Sequence, residues 1–327
     1  MSVDWREEAE KLVSFLGDRS HLWLVSHHSP DGDGIGSAVA LALTLERRGF
    51  AVSISHPGPI PRRFRAVDAF FPSTPVASAA PPHDGLIVID CNDPVRLGSL
   101  RRLVVGSAAP RFVIDHHPAP PEMRAENVVC PSCSSTGQVL YQLFLALGWP
   151  LETDVASALS LAILYDTNSL RLVRGDAEPL RIAAELIDRG ADWAAVQREL
   201  NASRSRGQLE LMRRGLDRIR FASEARLAYS WVERDDFVAC DCESDDAREL
   251  VNWTNEIEGV LVGFVLIEEA PGRYKVSMRS NRGVPVDRIA DAFGGGGHSN
   301  AASARIDGAR DEVVAALVDC FHTVLKG

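Results

Sequence analysis

Short apolar runs that end abruptly in aspartate or histidine restrict the fold of this chain more than any other feature. Leu22 to Val25 runs into His27-His28-Ser29-Pro30-Asp31-Gly32-Asp33, Leu86 to Ile89 into Asp90, and Phe112 to Ile114 into Asp115-His116-His117. A continuous run of four to eight apolar residues is what a strand buried on both faces looks like. Polar groups at its carboxyl end stand where open α/β sheets put their ligand sites. Ala51 to Ser55 is a further strand candidate, and the intervening Gly34 to Arg48 carries Ile35, Val39, Ala42 and Leu43 at helical spacing. Strand, loop, helix and strand succeed one another as in a βαβ unit, so an α/β fold is expected, its first domain a mainly parallel sheet flanked by helices.

The residues at these ends are carboxylates and imidazoles. With Asp166 they supply enough hard oxygen and nitrogen donors for two divalent cations, and none of these segments centres on cysteine. Asp and His suit Mn²⁺ or Mg²⁺, whereas thiolates would favour zinc, so manganese ranks first. Two such ions lower the pKa of a shared water and neutralise phosphoryl oxygens, which is what hydrolysis of an anionic phosphodiester needs. Taken singly, a His-His or an Asp-Gly-Asp is usually a turn or a solvated surface. The order and spacing of all the segments carry the functional reading. Asp93 competes with Asp90 as a ligand, but Asp90 terminates the apolar run directly.

Length and charge narrow the class. The 327 residues suffice for two domains, and 46% hydrophobic with 24% charged residues is ordinary for a globular protein. A formal charge of 35 − 45 = −10 argues against a broad basic surface for long duplex DNA and favours small substrates. There is no long uncharged apolar run, and Met1 to Glu10 is charged and polar where a signal peptide would be basic and then apolar, so a cytoplasmic protein without membrane association is expected. Oligomeric state is left open, a homodimer included. The six cysteines include Cys130-Pro131-Ser132-Cys133 and Cys240-Asp241-Cys242; neither pair has a completing set of partners, and reduced thiols are expected rather than zinc.

The pattern changes late in the chain. Ala177 to Arg189 and Trp193 to Leu200 read as helices, and the charged stretch Arg204 to Arg220, with Leu209, Met212, Leu216 and Ile219 apolar, reads as a linking helix. From Ala225 onward Leu227 to Val232, Val260 to Ile267 and Tyr274 to Ser280 read as strands, with Asp246 to Ile257 as a helix between them. Residues 1–200, a linker at 201–221 and a smaller α/β domain at 222–327 are therefore expected. Within Tyr274 to Ser280 alternation puts Lys275, Ser277 and Arg279 on one face and Val276 and Met278 on the other. Arg279 is either a forked phosphate donor or a solvated charge on an edge strand. Val286 to Phe293 reads as a short helix before Gly294-Gly295-Gly296-Gly297-His298, whose glycines permit several N–H groups to approach an anion.

These segments together resemble the DHH phosphoesterase superfamily, and more closely the bifunctional oligoribonuclease and 3′-phosphoadenosine-5′-phosphate (pAp) phosphatase family, the NrnA-like nanoRNases. The resemblance covers nearly the whole chain. It implies one metal held by His27, Asp31 and Asp90 and a second by Asp33, Asp90, His116 and Asp166, with Asp90 bridging and a metal-bridging hydroxide as nucleophile. His117 would face the substrate phosphate or protonate the leaving oxygen, with Asp115 orienting a neighbouring histidine. Arg279, Ser280, Gly295, Gly296, Gly297 and His298 would hold the rest of the nucleotide. Arg96 and Ser134-Ser135-Thr136 also fall where the family has them. After Asp166-Thr167, however, this chain has Asn168-Ser169-Leu170 where the family commonly has Gly and an aromatic, and Ala301-Ala302-Ser303 follows the glycine loop where Gly often closes the motif. The expected substrates are short oligonucleotides or phosphorylated nucleotides such as pAp. Rival readings are a phosphodiesterase for cyclic or linear dinucleotide messengers, a RecJ-like single-strand exonuclease, a family II inorganic pyrophosphatase and a non-catalytic nucleotide sensor.

Overall fold

The computed structural model describes the chain apart from residues 1–2, 29–30, 59, 62–63, 76–78, 174–175, 202–203, 225, 281–282 and 327. Ser29 and Pro30 of the first motif, and Ala225 at the change of pattern, therefore lie outside the described residues. The chain divides into two compact units, Met1–Ser203 and Arg204–Gly327.

In the first unit, strands β1 (His21–Val25), β2 (Ala51–His56), β3 (Thr74–Pro75), β4 (Gly85–Ile89), β5 (Arg111–Asp115) and β6 (Val128–Val129) form a sheet in the order β3-β2-β1-β4-β5-β6. Every pairing is parallel. All five residues of β4 are buried, as its continuous apolar run requires. The strand order reverses between β1 and β4, and at such a switch point the two flanking connections leave the sheet in opposite directions and open a crevice at the strand carboxyl ends. His27 follows β1 and Asp90 follows β4, so the two lie on either side of that crevice.

The helix Gly32–Glu46 is buried from Gly32 through Leu45, on all of its faces. A helix apolar all round needs partners all round, and one of them is the equally apolar helix Thr153–Asp166. Their close approach depends on glycine. A Cβ at Gly36 would lie 2.5 Å from the Ala158 carbonyl oxygen and 2.9 Å from the Ala162 nitrogen. Because both are backbone atoms, neither can swing away.

The second unit is a mixed sheet of β7 (Arg220–Ala222), β8 (Leu227–Val232), β9 (Val262–Ala270), β10 (Arg273–Ser280), β11 (Gly296–His298) and β12 (Ala301–Asp307) in the order β11-β12-β10-β9-β8-β7. Only β8 and β9 run parallel among its pairs. One face packs Val262, Phe264, Val276 and Met278 against Val286, Ile289, Leu317 and Phe321. The other packs Val265 and Ile267 with Leu211, Phe237, Leu250 and Val251. The helix Arg206–Asp217, read from sequence as a connector, contributes Leu211 to this second core, and Ser230 Oγ donates to its Gly215 carbonyl. The stretch read as one helix from Asp246 to Ile257 is a 3₁₀ turn, Ser244–Ala247, followed by a helix, Leu250–Asn255.

Gly36→Ala is expected to destabilise the protein by about 1–3 kcal/mol, the usual cost of overpacking a filled core, read as a lower urea midpoint with an unchanged slope.

Candidate metal centre

Asp31 is the N-cap of the helix Gly32–Glu46, and its Oδ1 accepts from the Asp33 and Gly34 amides at 3.1 Å each. Asp33, in the first turn, is wholly buried and points at a second helix start: its Oδ2 accepts from Thr136 N at 2.7 Å and its Oδ1 from Gly137 N at 2.9 Å and Ser37 Oγ at 3.1 Å. That second helix, Thr136–Ala146, is capped by Ser135, whose side chain accepts from Gln138 N. Each of these two helix N-termini thus directs amide dipoles at a carboxylate of the cluster, the first at Asp31 and the second at Asp33.

Asp90 leaves β4 in the left-handed region, at φ 58°. Its two oxygens face different partners. Oδ2 lies 3.3 Å from His27 Nε2, while Oδ1 accepts from Thr136 Oγ1 at 2.9 Å and lies 3.6 Å from His116 Nε2. Asp31 Oδ1 completes one group at 3.6 Å from His27 Nε2. Asp33 Oδ2 and Asp166 Oδ2 complete the other, 3.6 and 3.1 Å from His116 Nε2. Asp93, the rival to Asp90, instead caps the turn Pro94–Leu100 by accepting from Val95 N.

These spacings suit cations. Donors about 2.1 Å from a shared ion in octahedral or tetrahedral geometry lie ~3.0–3.4 Å from one another, and the separations here fall in or just beyond that range. Two further observations support the fit. His27 Nε2 and Ser26 Oγ are buried and make no hydrogen bond. A Cβ at Gly34 would sit 2.5 Å from that Ser26 oxygen and 3.5 Å from both His27 Nε2 and Asp90 Oδ2, so glycine leaves open the space these atoms surround. Exposure is graded as well: His27, Asp33, Asp90 and His116 side chains are at most 4% exposed, whereas Asp31 and Asp166 are 26% and 24%. The cluster has a closed floor and an open rim.

Electrostatics follow from that crowding. Burial alone would lower both imidazoles, yet Asp31 and Asp90 raise His27 to about 10, and Asp166, Asp33 and Asp90 raise His116 to about 10. Burial, then the charges of Asp90 and Asp166, push Asp33 well above the carboxylate range. Burial would also raise Asp115, but the His117 hydrogen bond and the two imidazoles outweigh it and hold the group below its ordinary value. Asp115 Oδ1 accepts from His116 N, His117 N and His117 Nδ1 at 2.7, 3.1 and 2.8 Å. His117 is therefore fixed through Nδ1 with its ring 23% exposed at the rim. Arg96 is raised because the charges of Asp90, Cys91 and Asp31 outweigh its burial, and its carbonyl accepts from His28 N at 2.7 Å.

The structure brings together all six residues read as metal ligands, with His117 and Asp115 beside them. In the second unit the sequence reading is only partly matched. Ser280 falls on the buried face of β10 with Val276 and Met278, while Arg279 falls on the opposite face. Strand alternation puts the two side chains on opposite faces of the sheet. The glycine run is less a loop than a helix stop and a hairpin. Gly294 and Gly295 amides donate to Asp291 and Ala290 carbonyls, and Gly296–His298 pairs with Ala301–Ser303. A Cβ at Gly295 would lie 2.2 Å from the Ser303 carbonyl oxygen, so close strand approach accounts for glycine there. Sequence reasoning missed Ser26 and Gly34, and placed Thr136 in a segment resembling the family's without giving it a part in holding the carboxylates. The run Ser134-Ser135-Thr136-Gly137, able to offer both amides and a hydroxyl to a carboxylate, was the available signal.

The departure after Asp166 has a structural counterpart. Asn168, Ser169 and Leu170 are all left-handed, at φ 49°, 57° and 67°. Asparagine tolerates that region but leucine does not do so readily. The turn is held by Ser169 N to Leu164 O at 2.7 Å and Leu170 N to Thr167 Oγ1 at 3.0 Å.

Residues 21–163 match the DHH family, N-terminal domain, and residues 226–326 match the DHHA1 domain. A protein of Thermus thermophilus named bifunctional oligoribonuclease and PAP phosphatase NrnA is 31% identical over 290 residues, covering 88% of this chain and 84% of that one. The Bacillus subtilis protein of the same name is 26% identical over 294 residues, covering 86% and 87%. The crystal structure of an exopolyphosphatase-related protein from Bacteroides fragilis superposes with a TM-score of 0.83 at 22% identity, covering 97% of this chain and 96% of that one, and so shares the fold.

Because the surrounding carboxylates raise His27 and His116 to about 10, a cation that binds their ring nitrogens is expected to displace protons. Mn²⁺ affinity is therefore expected to rise with pH through the neutral range. Calorimetric titration in buffers of different ionisation enthalpy should register proton release; binding without it would remove the two imidazoles from the ligand set.

Proposed function

The chain belongs to the DHH family, within the group of bifunctional oligoribonucleases and PAP phosphatases, and from that premise we propose that it is a divalent-metal phosphoesterase that hydrolyses short oligonucleotides to mononucleotides and pAp to AMP and phosphate. The observation that carries the metal reading is Asp90, whose two oxygens serve two separate sets of donors. His27, Asp31 and Asp90 would hold one ion, and Asp33, Asp90, His116 and Asp166 the other. Two such ions supply hydroxide at neutral pH and offset phosphoryl charge; Mn²⁺ suits the donors best, with Mg²⁺ the alternative.

The chain's own residues do the rest. Thr136 and Gly137 amides and the Thr136 hydroxyl fix Asp33 and Asp90, so neither carboxylate has to reorganise as charge develops. His117, held by Asp115 through Nδ1, turns its other nitrogen to the leaving oxygen and donates the proton that departs with it. Asp115 stabilises the imidazolium before that transfer. Arg279 in the second unit, with a guanidinium suited to forked donation, binds a phosphate away from the reacting bond. The net charge of −10 favours short substrates, whose few phosphates need few cationic partners. The six free cysteines suit a reducing, cytoplasmic compartment.

The test is Mn²⁺-dependent hydrolysis of pAp and of short oligoribonucleotides. Asp90→Asn should lose more than the ~10–100-fold that an outer residue such as Asp115 costs, and retention of wild-type activity would remove Asp90 as a bridge. Arg279→Ala should raise KM by about 10–100-fold, the worth of a charged hydrogen bond, with kcat little changed; a collapse of kcat at saturating substrate would reassign it.

A further inference from the structure

The Cys130–Cys133 pair takes no part in the chemistry above, yet it is built for a reaction of its own. Cys133 N donates to the Cys130 carbonyl at 3.0 Å, closing a four-residue turn. Such a turn holds its end Cα atoms within about 7 Å, close to the span a disulfide bridges. The two sulfurs lie 3.0 Å apart, and Ser132 Oγ is 3.2 Å from that of Cys130. Both thiols are 4% exposed, but the intervening Pro131 and Ser132 are exposed, so the turn itself lies at the surface. Each end of it is tied to the metal cluster: Cys130 N donates to the Asp115 carbonyl at 2.9 Å, and three residues past Cys133 the Thr136 amide donates to Asp33.

We propose that Cys130 and Cys133 are a redox modification site, forming a reversible disulfide on exposure to a small peroxide and thereby slowing hydrolysis. The Cys130 thiolate attacks one peroxide oxygen, the O–O bond breaks, and Cys130 becomes a sulfenic acid as hydroxide leaves and takes up the thiol's proton as water. The Cys133 sulfur then attacks the Cys130 sulfur, the S–S bond forms and a second water departs, so two thiols are oxidised and one peroxide is reduced. The division of labour fits the surroundings: hydrogen bonds from Cys133 and Ser132 bring the Cys130 thiol down to about 6, while Cys133 is pushed up by its neighbour and by burial. Bonded sulfurs lie about 2.05 Å apart, so closure draws the side chains together by ~1 Å in a turn that leads directly into Thr136 and Gly137. A displacement of that size at catalytic groups costs up to about 100-fold in rate. This second half rests on the phosphoesterase reading; the first does not.

The test treats the full chain with hydrogen peroxide, alkylates remaining thiols and maps tryptic peptides. The peptide from Ala125 to Arg171 contains these two cysteines and no other. It should resist alkylation and weigh two hydrogens less, and dithiothreitol should restore both thiols. Hydrolysis should fall ~10–100-fold and recover on reduction, while Cys133→Ser keeps its rate in peroxide. Complete alkylation of both cysteines after peroxide would overturn the site. A formed disulfide with unchanged hydrolysis, or a Cys133→Ser variant inhibited like the parent, would overturn the control of activity. The peptide mass is read without substrate, so its failure is distinct from failure of the phosphoesterase reading.

Discussion

Negative charge enclosed by protein is what the first unit has to accommodate. Asp33 and Asp90 are buried, each 3.6 Å from His116 Nε2, with Asp31 and Asp166 at their rim. Unpaired carboxylates in such a place would take up protons or drive the fold apart. Two arrangements answer that repulsion: the amides of two helix starts and two buried imidazoles. The sheet supplies the frame because its order reverses between β1 and β4, and the residues leaving those strands meet at the resulting crevice. The helix Gly32–Glu46 supplies the anchor. Its apolar body is buried from Gly32 through Leu45, so the carboxylates at its head stand on an element packed on all sides.

Much of this was legible in the residues. Continuous apolar runs marked β1, β4 and β5, as strands buried on both faces do, and β2, whose first three residues are not buried, was marked by its place after the helix. The two-residue strands β3 and β6 were not marked, being too short to carry any pattern. Ser280 is instructive in a different way. The alternation along Tyr274 to Ser280 already assigned Val276 and Met278 to the face opposite Arg279, and continuing it by one step puts Ser280 with them. The burial of Ser280 follows that arithmetic. The helix Arg206–Asp217 was visible as a helix but not as part of the second core, since an apolar stripe shows that a partner exists without saying which.

Glycine plays two distinct parts at the site and near it. Gly36 lets two apolar helices touch, whereas Gly34 keeps clear a space enclosed by Ser26, His27 and Asp90. Sequence spacing treats them alike; only the neighbours tell a packing requirement from a functional one. The three left-handed residues after Asp166 belong with these observations. A glycine would relieve the backbone at any of them, and the chain instead uses Asn168, Ser169 and Leu170 with a set of local hydrogen bonds to hold the turn.

Asp90 answers to two requirements at once. At φ 58° its backbone disfavours branched and bulky side chains, and glycine, asparagine and aspartate enter this region with least strain. Of those three only aspartate carries charge. The conformation of one peptide unit therefore restricts the alphabet at this position before any ligand is considered. Lengthening the side chain to glutamate would keep the charge yet carry the carboxylate away from its partners, and shortening it to glycine would relax the main chain yet abolish the charge, so drift at this site has almost nowhere to go.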